Sequence, residues 1–360
     1  MPLKQHILDG LRHAGLFGLA RRLYRSRFYG ATALLYHRVL PAEAPPDHYV
    51  RLMDGPTVPQ LEALVAYLKR WFQFSTPREC VERWRSGREV DPYTLLLTFD
   101  DGYADMHELL LPVLQKYQVP ATVFVTTGSV GGRYKVWFQR LFSAMKRTTA
   151  AELPAFADLP PLPLRDTRQR VAAIERISSL QVRYPATEWE AMIDGLAESL
   201  GWDGGTDDER MMTWGQVEGL HRSGLVTIGG HTVTHPLLAQ CTPERLDREL
   251  VDCAAELRGR LGLDFLPFSY PHGRVLRPDI AEAVQRSGYD CAFTGDWALN
   301  TAATPMYQLG RQQLPADNVS RASLQLLRSD AARRPRKDEG FRTVYEQPAV
   351  GIAGTGGNWG

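Results

Sequence analysis

Short apolar runs alternate with helical stretches along most of the chain. In the run Leu95–Phe99 every residue is apolar or β-branched, and Asp100 and Asp101 follow directly. Such a run predicts a strand that is buried on both faces, as in a parallel sheet. Similar runs recur in ATALLYHRVL, PATVFVTT, LVTIGG, FLPFSYP and CAFTG, and helical spacing separates most of them. This alternation predicts an α/β fold in which helices cross over between parallel strands.

Residues 133–214 interrupt the alternation. They contain a Pro-rich link, LPAFADLPPLPL, followed by helical patterns around Arg168–Gln181 and Ala186–Ser199. We predict a helical insertion here, which forms either a wall or lid of a substrate cleft or a packing appendage. After residue 321 the charge run RRPRKDE and the Gly-rich end predict a flexible tail over 322–360.

Composition changes this picture little. Of the 360 residues, 44% are hydrophobic and 23% are charged, and a formal net charge of +1 gives no argument for binding nucleic acid. The four cysteines lie far apart without a CxxC pair, which predicts isolated thiols rather than a disulfide framework or a zinc knuckle.

The segment 1–28 is basic, and its leucines are spaced as in an amphipathic helix. It lacks the apolar stretch and the cleavage site of a secretory signal, and no window of the chain has the length and apolarity of a transmembrane helix. We expect a cytoplasmic protein. Its N-terminal segment either docks on the body of the protein or makes a peripheral contact with the inner membrane, whose surface is anionic.

The adjacent carboxylates of Asp100 and Asp101 indicate chemistry at the end of a core strand. They repel each other when both are ionised, so they need a cation or a shared proton. Capping of the following helix is the alternative, although one aspartate would suffice for that.

A second polar group, His231 and His235, occurs in GGHTVTHP. The β-branched residues between the histidines and the proline after them favour a turn or a short helix over a helix interior. Two imidazoles and one carboxylate leave a coordination position open for water, as in a catalytic zinc site, while a structural role is the alternative for the histidine pair alone. The remaining aspartate could then act as a general base.

Three motifs resemble those of a known family. TFDDGY, HTVTH and SYPHG are similar to the first three motifs of the polysaccharide deacetylases, the NodB-homology group or carbohydrate esterase family 4, between about Leu34 and Leu314. The resemblance implies a distorted (β/α) barrel of about seven parallel strands. It also implies metal-dependent removal of N-acetyl, or sometimes O-acyl, groups from sugars. We therefore place a catalytic domain at 29–321.

The resemblance also implies roles for individual residues. Asp101, His231 and His235 would ligate one divalent metal ion, for which zinc is the default and cobalt, nickel and iron are alternatives. Asp100 would be the catalytic base.

The third motif departs from the family pattern. Ser269 replaces an arginine that in relatives pairs with the catalytic aspartate, and His272 replaces a tyrosine. Pro271 and Gly273 keep the turn, whose backbone would still hold the oxyanion. Arg311, in QLGRQQL, is the candidate replacement for the arginine, and an ordinary surface arginine is the alternative.

The general acid also differs, because the late Leu-x-His motif of the family is absent. The order of motifs resembles that of the bacterial poly-N-acetylglucosamine deacetylases, in which the protonating histidine follows a tyrosine on the first strand. Tyr36-His37 matches this pattern, so His37 is the first candidate for the general acid and His272 the second. Four aromatic residues near the motifs could stack on sugar rings or belong to the core or rim: Tyr103, Trp137, Tyr270 and Trp297.

Together these observations predict a metal-dependent hydrolase that removes N-acetyl groups from an amino-sugar saccharide, with an N-acetylated saccharide as its partner. One alternative is a deacylase of a lipid-linked sugar at the inner face of the membrane, which the N-terminal segment motivates. Another is an inactive carbohydrate-binding relative, which the altered third motif motivates.

Overall fold

The computed structural model describes residues 30–43, 55–205, 210–273, 275 and 277–332, together with residues 6, 9–11, 15, 16 and 19. Apart from those isolated positions, the predicted N-terminal segment 1–28 lies outside the described residues, as does the predicted tail after Ala332. Within the described ranges, none of the helices combines the length and apolar character that a membrane crossing requires.

The strands of the described chain form one large parallel sheet and one small hairpin. In chain order they are β1 (Ala31–Tyr36), β2 (Gln73–Phe74), β3 (Thr94–Phe99), β4 (Ala121–Val125), β5 (Glu152–Leu153), β6 (Leu162–Pro163), β7 (Val226–Gly230), β8 (Pro267–Ser269), β9 (Cys291–Phe293) and β10 (Arg311–Gln312). Seven of these described strands follow the order β10-β1-β3-β4-β7-β8-β9, and β2 pairs beside β3. A parallel bridge between Phe293 and Leu309 joins β9 to the segment that leads into β10. The sheet is therefore a nearly closed barrel, which confirms the predicted fold.

Helices lie between the strands. They are α1 (Val58–Leu68), α2 (Pro77–Arg85), α3 (Leu111–Tyr117), α4 (Trp137–Arg147), α5 (Thr167–Ser179), α6 (Ala186–Ser199), α7 (Trp214–Arg222), α8 (Pro243–Leu261), α9 (Pro278–Arg286) and α10 (Val319–Ala332). The local sequence sets their ends. Helix α8, for example, begins after Thr242, whose hydroxyl accepts from the amide of Arg245, and stops at Gly262, whose φ of 64° is left-handed.

The predicted insertion is helical. Helices α4, α5 and α6 and the antiparallel β5–β6 hairpin pack around their own apolar cluster, which includes Trp137, Leu141, Ile174, Trp189 and Ile193. This cluster is separate from the main core between the barrel and its helices. The insertion is therefore a small body with its own apolar interior, attached to one side of the barrel.

The predicted start of the tail at residue 322 is wrong. Helix α10 continues to Ala332, and Ala322 and Leu326 are fully buried in the main core. Their i,i+4 spacing places both side chains on one helical face, and their burial stabilises the helix against the barrel. The four cysteines, in agreement with the prediction, are buried free thiols.

Candidate active site and metal centre

The register of the barrel places the first motif beside the first strand. Tyr36 at the end of β1 pairs with Phe99 at the end of β3, and the amide of Asp100 donates to the Tyr36 carbonyl at 3.0 Å. His37 and Asp100 therefore leave neighbouring parallel strands at equivalent positions. Because the carboxyl ends of parallel strands share one rim, both side chains reach the same mouth of the barrel.

The histidine motif leaves β7 at the same rim. Gly230 pairs with Val125 of β4, and the next amide, that of His231, donates to the Val125 carbonyl at 3.0 Å. After His231 the chain turns, with left-handed φ values of 65° at Thr232 and 58° at His235. Of the two predicted alternatives, a turn and a short helix, the structure has the turn. Non-glycine residues in this region are strained, and such strain often marks functional sites.

Asp101, His231 and His235 form one buried cluster. The Oδ1 atom of Asp101 lies 3.5 Å from His231 Nε2 and 3.4 Å from His235 Nε2. One potential ligand atom from each residue lies within 4.8 Å of the others. Among the described residues neither carboxylate oxygen of Asp101 has a hydrogen-bond partner, although both are buried. A buried carboxylate without partners is costly unless a cation compensates it, so the cluster fits a divalent metal ion.

A second contact fixes the tautomer of His231. Its Nδ1 lies 2.7 Å from the carbonyl oxygen of Ser269. A carbonyl can only accept, so Nδ1 carries the proton and Nε2 presents its lone pair toward Asp101. Metal-ligating histidines are commonly oriented by such a contact.

The pKa values of the two imidazoles move in opposite directions. Burial lowers the pKa of His235 well below its usual range, and the neighbouring His231 and His272 add to this shift. Burial also opposes protonation of His231, but the carboxylates of Asp100 and Asp101 outweigh it and raise that pKa. His235 is therefore neutral, the form in which an imidazole ligates a metal.

Asp100 is held by a bidentate ion pair. Arg311 Nη1 and Nη2 donate to its two carboxylate oxygens at 2.7 and 2.8 Å, and the Ser269 hydroxyl donates to Oδ2 at 3.0 Å. Arg311 is 1% exposed and also donates to the Ser269 hydroxyl at 2.8 Å. The predicted pairing of Arg311 with Asp100 is confirmed, and the alternative of a surface arginine is wrong.

This pair keeps Asp100 ionised. Burial alone would raise the pKa of the carboxyl, but the guanidinium of Arg311 outweighs it and lowers the pKa to about 2. The Ser269 hydroxyl supports the same carboxylate. Two side chains from different strands, β8 and β10, therefore hold Asp100.

One cavity of about 390 Å³ connects these groups. It is lined by all the predicted catalytic and metal-ligating residues: His37, Asp100, Asp101, His231, His235, His272 and Arg311. Helix α4 of the insertion adds Trp137, Phe138 and Phe142 to its wall. Of the alternatives for the insertion, the wall of a cleft therefore matches the structure.

The aromatic wall contacts the histidines directly. Trp137 stacks on His272 with ring centres 6.0 Å apart, and Phe138 packs edge-on against His235 at 5.1 Å. Sequence reasoning named Trp137 but missed Phe138 and Phe142. Their i,i+4 spacing on a helix was the available signal.

Two of the residues predicted to stack on sugar rings lie in the core instead. Tyr103 and Tyr270 are both fully buried, so stacking on a sugar ring is wrong for each. The guanidinium of Arg38 covers the Tyr103 ring at 4.0 Å, and the Tyr270 hydroxyl donates to the Tyr307 carbonyl at 2.9 Å. Trp297 is half-buried and does not line the cavity.

The oxyanion turn also needs a correction. Pro271 is buried and has no N–H, so it cannot donate to an oxyanion. The amide of Gly273 already donates to the Tyr270 carbonyl at 2.8 Å. His272, with a left-handed φ of 61°, is the turn residue whose amide is the candidate donor.

Known proteins resemble this chain in sequence and in fold. The family model described as polysaccharide deacetylase matches residues 87–153 and 191–292. A Bacillus subtilis (strain 168) protein described as a polysaccharide deacetylase, YxkH, is 33% identical over 101 residues, which cover 26% of this chain and 36% of that relative. The match thus spans little more than a third of the curated relative.

Two solved structures share the fold. The Streptococcus pyogenes deacetylase PplD, solved in complex with acetate, has a TM-score of 0.54 at 16% identity and covers 83% of this chain and 98% of its own. IcaB from Ammonifex degensii has a TM-score of 0.54 at 21% identity and covers 84% of this chain and 98% of its own. At these identities the likeness shows the fold alone.

Proposed function

Because the chain belongs to the polysaccharide deacetylase family, we propose that it is a metal-dependent hydrolase that removes N-acetyl groups from an amino-sugar saccharide. The observation that carries this proposal is the buried cluster of Asp101, His231 and His235 beside an ionised Asp100 in one cavity. An idle binding protein has no physical need to bury an uncompensated carboxylate between two imidazoles.

Each residue of the cavity has a chemical task in this reaction. Asp101, His231 and His235 would hold a divalent cation, with zinc as the default, which would polarise the acetamide carbonyl and acidify water. Even a carboxylate as weakly basic as Asp100 could then take the proton. Arg311 and Ser269 keep Asp100 ionised and aimed at the cavity. The amide of His272 donates to the oxygen that gains negative charge.

His37 completes the proton transfers. Water adds to the carbonyl carbon, the C–N bond breaks, and the nitrogen leaves as an amine only if it gains a proton. His37 lines the cavity on the strand next to Asp100, which supports its role as the general acid. The products are then acetate and a free amino sugar.

We expect His37→Ala to lower kcat by about 10²–10⁴-fold and to remove the alkaline limb of the pH–rate profile, because a general acid must be protonated to act. The measurement is the pH dependence of kcat/KM for His37→Ala, compared with that for His272→Ala, since His272 is the second candidate for the general acid. A variant at His37 that keeps the alkaline limb while the His272 variant loses it would reverse the assignment.

The function itself is tested by measuring acetate released from a panel of N-acetylated saccharides of different lengths. We expect release that stops when a chelator removes the cation and returns when zinc is restored. Absence of acetate from every member of the panel with zinc-loaded protein would overturn the proposal.

A further inference from the structure

The turn that carries the two metal-ligating histidines cannot hold its shape alone. Both Thr232 and His235 have left-handed φ values, which L side chains rarely adopt. Such a conformation persists only when surrounding groups fix it. The contacts of the intervening backbone therefore show what determines the placement of the second imidazole.

The carbonyl groups of the turn accept hydrogen bonds from the residues that follow β4. The amides of Thr127 and Gly128 donate to the carbonyls of Thr232 and Val233 at 3.1 and 2.9 Å. The two backbone segments lie so close together that a Cβ atom added at Gly128 would be 2.4 Å from the Val233 carbonyl oxygen. These contacts leave the N–H groups of the turn to be satisfied elsewhere.

Glu249, on α8, satisfies those N–H groups. One of its carboxylate oxygens, Oε2, accepts from the amides of Val233 and Thr234 at 2.9 and 2.8 Å. The other oxygen accepts from the Thr234 hydroxyl. Glu249 is buried, with only 4% of its surface exposed. Successive N–H groups that converge on an anion form a nest, here closed by a side chain of the same protein.

A neighbouring arginine compensates the buried charge. Arg245 Nε lies 3.6 Å from Glu249 Oε1, and Arg245 Nη2 also contacts Glu190 on α6 at 2.5 Å. Arg245 thereby links Glu249 to Glu190, so that a chain of charged side chains runs from the turn to the insertion. The Glu249 carboxylate is therefore held by the N–H groups of the turn on one side and by Arg245 on the other, as a positioning role requires.

We propose that Glu249 is a positioning residue that holds the His231–His235 turn in the geometry needed to ligate the metal ion. The inference rests on the proposed function, because it concerns the same metal centre. Glu249 acts through the backbone of Val233 and Thr234, which joins the two ligands, and it does not line the cavity.

The test is Co²⁺ binding by Glu249→Gln, followed by visible absorption, which reports ligand geometry as well as affinity. Glutamine has the same shape but no charge and only one acceptor atom, so the Thr234 hydroxyl and the Arg245 guanidinium lose the acceptor oxygen Oε1. We expect the Co²⁺ dissociation constant to rise by about 10- to 100-fold with an altered spectrum. The matched control is Asp247→Asn, an equal loss of charge at an exposed position of α8, which should bind within about twofold of wild type.

Thermal unfolding of the metal-free proteins accompanies the titration, so that binding is compared where every variant is folded. If Glu249→Gln does not fold, Thr234→Val carries the test, since it removes only the hydroxyl donor and should weaken Co²⁺ binding about threefold or more. If the folded variant binds Co²⁺ with the affinity and the spectrum of the wild type, the proposed role of Glu249 is overturned, while the metal centre itself stands. A wild-type protein that binds no Co²⁺ would overturn the metal centre itself, and the role of Glu249 with it.

Discussion

Replacing Asp100 with asparagine should lower kcat/KM for acetate release by about a thousandfold, because an amide cannot accept the proton that the general base removes from water. The substitution preserves the shape of the side chain and one acceptor oxygen for Arg311. It leaves Asp101, His231 and His235 in place, so metal binding should persist. This separation of activity from metal content distinguishes a base from a ligand.

The measurement is the rate of acetate release by zinc-loaded Asp100→Asn, together with its zinc content. The matched control is Asp91→Asn, which removes an exposed carboxylate paired with Arg83 and should retain wild-type activity. Activity of the Asp100 variant within tenfold of wild type would show that another group takes the proton.

Replacing Arg311 with methionine should have the largest effect on stability. The substitution leaves the carboxylate of Asp100 buried without its counter-charge, and breaking a buried pair in this way typically costs about 3–5 kcal/mol. We expect this loss in the free energy of unfolding, measured by urea denaturation at neutral pH. Arg311→Lys keeps the charge but loses the bidentate geometry. Its free energy of unfolding should therefore lie between those of the methionine variant and the wild type. A methionine variant as stable as wild type would contradict the account of the pair.

The same pair predicts a dependence on pH. The folded-state pKa of Asp100 is lowered to about 2, below the value of about 3.9 for an unfolded aspartate. Its stabilising contribution is therefore complete above about pH 4 and is lost as the pH falls toward 2. In Arg311→Met burial is no longer offset, so the pKa of Asp100 rises and the acidic limb of kcat/KM should move to higher pH. An acidic limb that stays in place would indicate that Arg311 does not control this carboxyl.

Much of the site could be predicted because its residues follow buried strands directly. Asp100 and Asp101 are the first two residues after β3, and His231 is the first after β7; parallel strands bring such residues to one rim. Arg311 was identified by a different route, from the arginine missing at Ser269. Its contact depends on barrel closure, which places β10 beside β1 and lets the side chain reach Asp100 through the interior.

What the sequence could not provide is the direction of side chains in irregular segments. Tyr103 and Tyr270 lie within or beside the motifs, yet both rings turn into the core, because proximity in sequence does not decide which face a turn residue presents. The i,i+4 spacing of Phe138 and Phe142 indicates one apolar helix face, but it does not show that this face lines the cavity, because that depends on how the insertion docks on the barrel. Glu249 was detectable in part, since it is a carboxylate on the otherwise apolar face formed by Leu246, Leu250 and Cys253.

The end of the domain shows how composition can mislead. The charge run after Ala332 dominates the last 40 residues and suggested that the tail begins at 322. The spacing of Ala322 and Leu326 already indicated one more amphipathic helix, and the structure buries both residues. A short periodic signal is therefore informative even beside a long polar run.

The central claim is that Asp101, His231 and His235 together hold one cation while the adjacent Asp100 does not ligate it. The most direct test is the zinc content per chain, after dialysis against zinc, of wild type, Asp101→Asn and Asp100→Asn. The account predicts one zinc ion in wild type and in Asp100→Asn, and a loss of bound zinc in Asp101→Asn. A full equivalent of zinc in Asp101→Asn, or none in wild type, would contradict it.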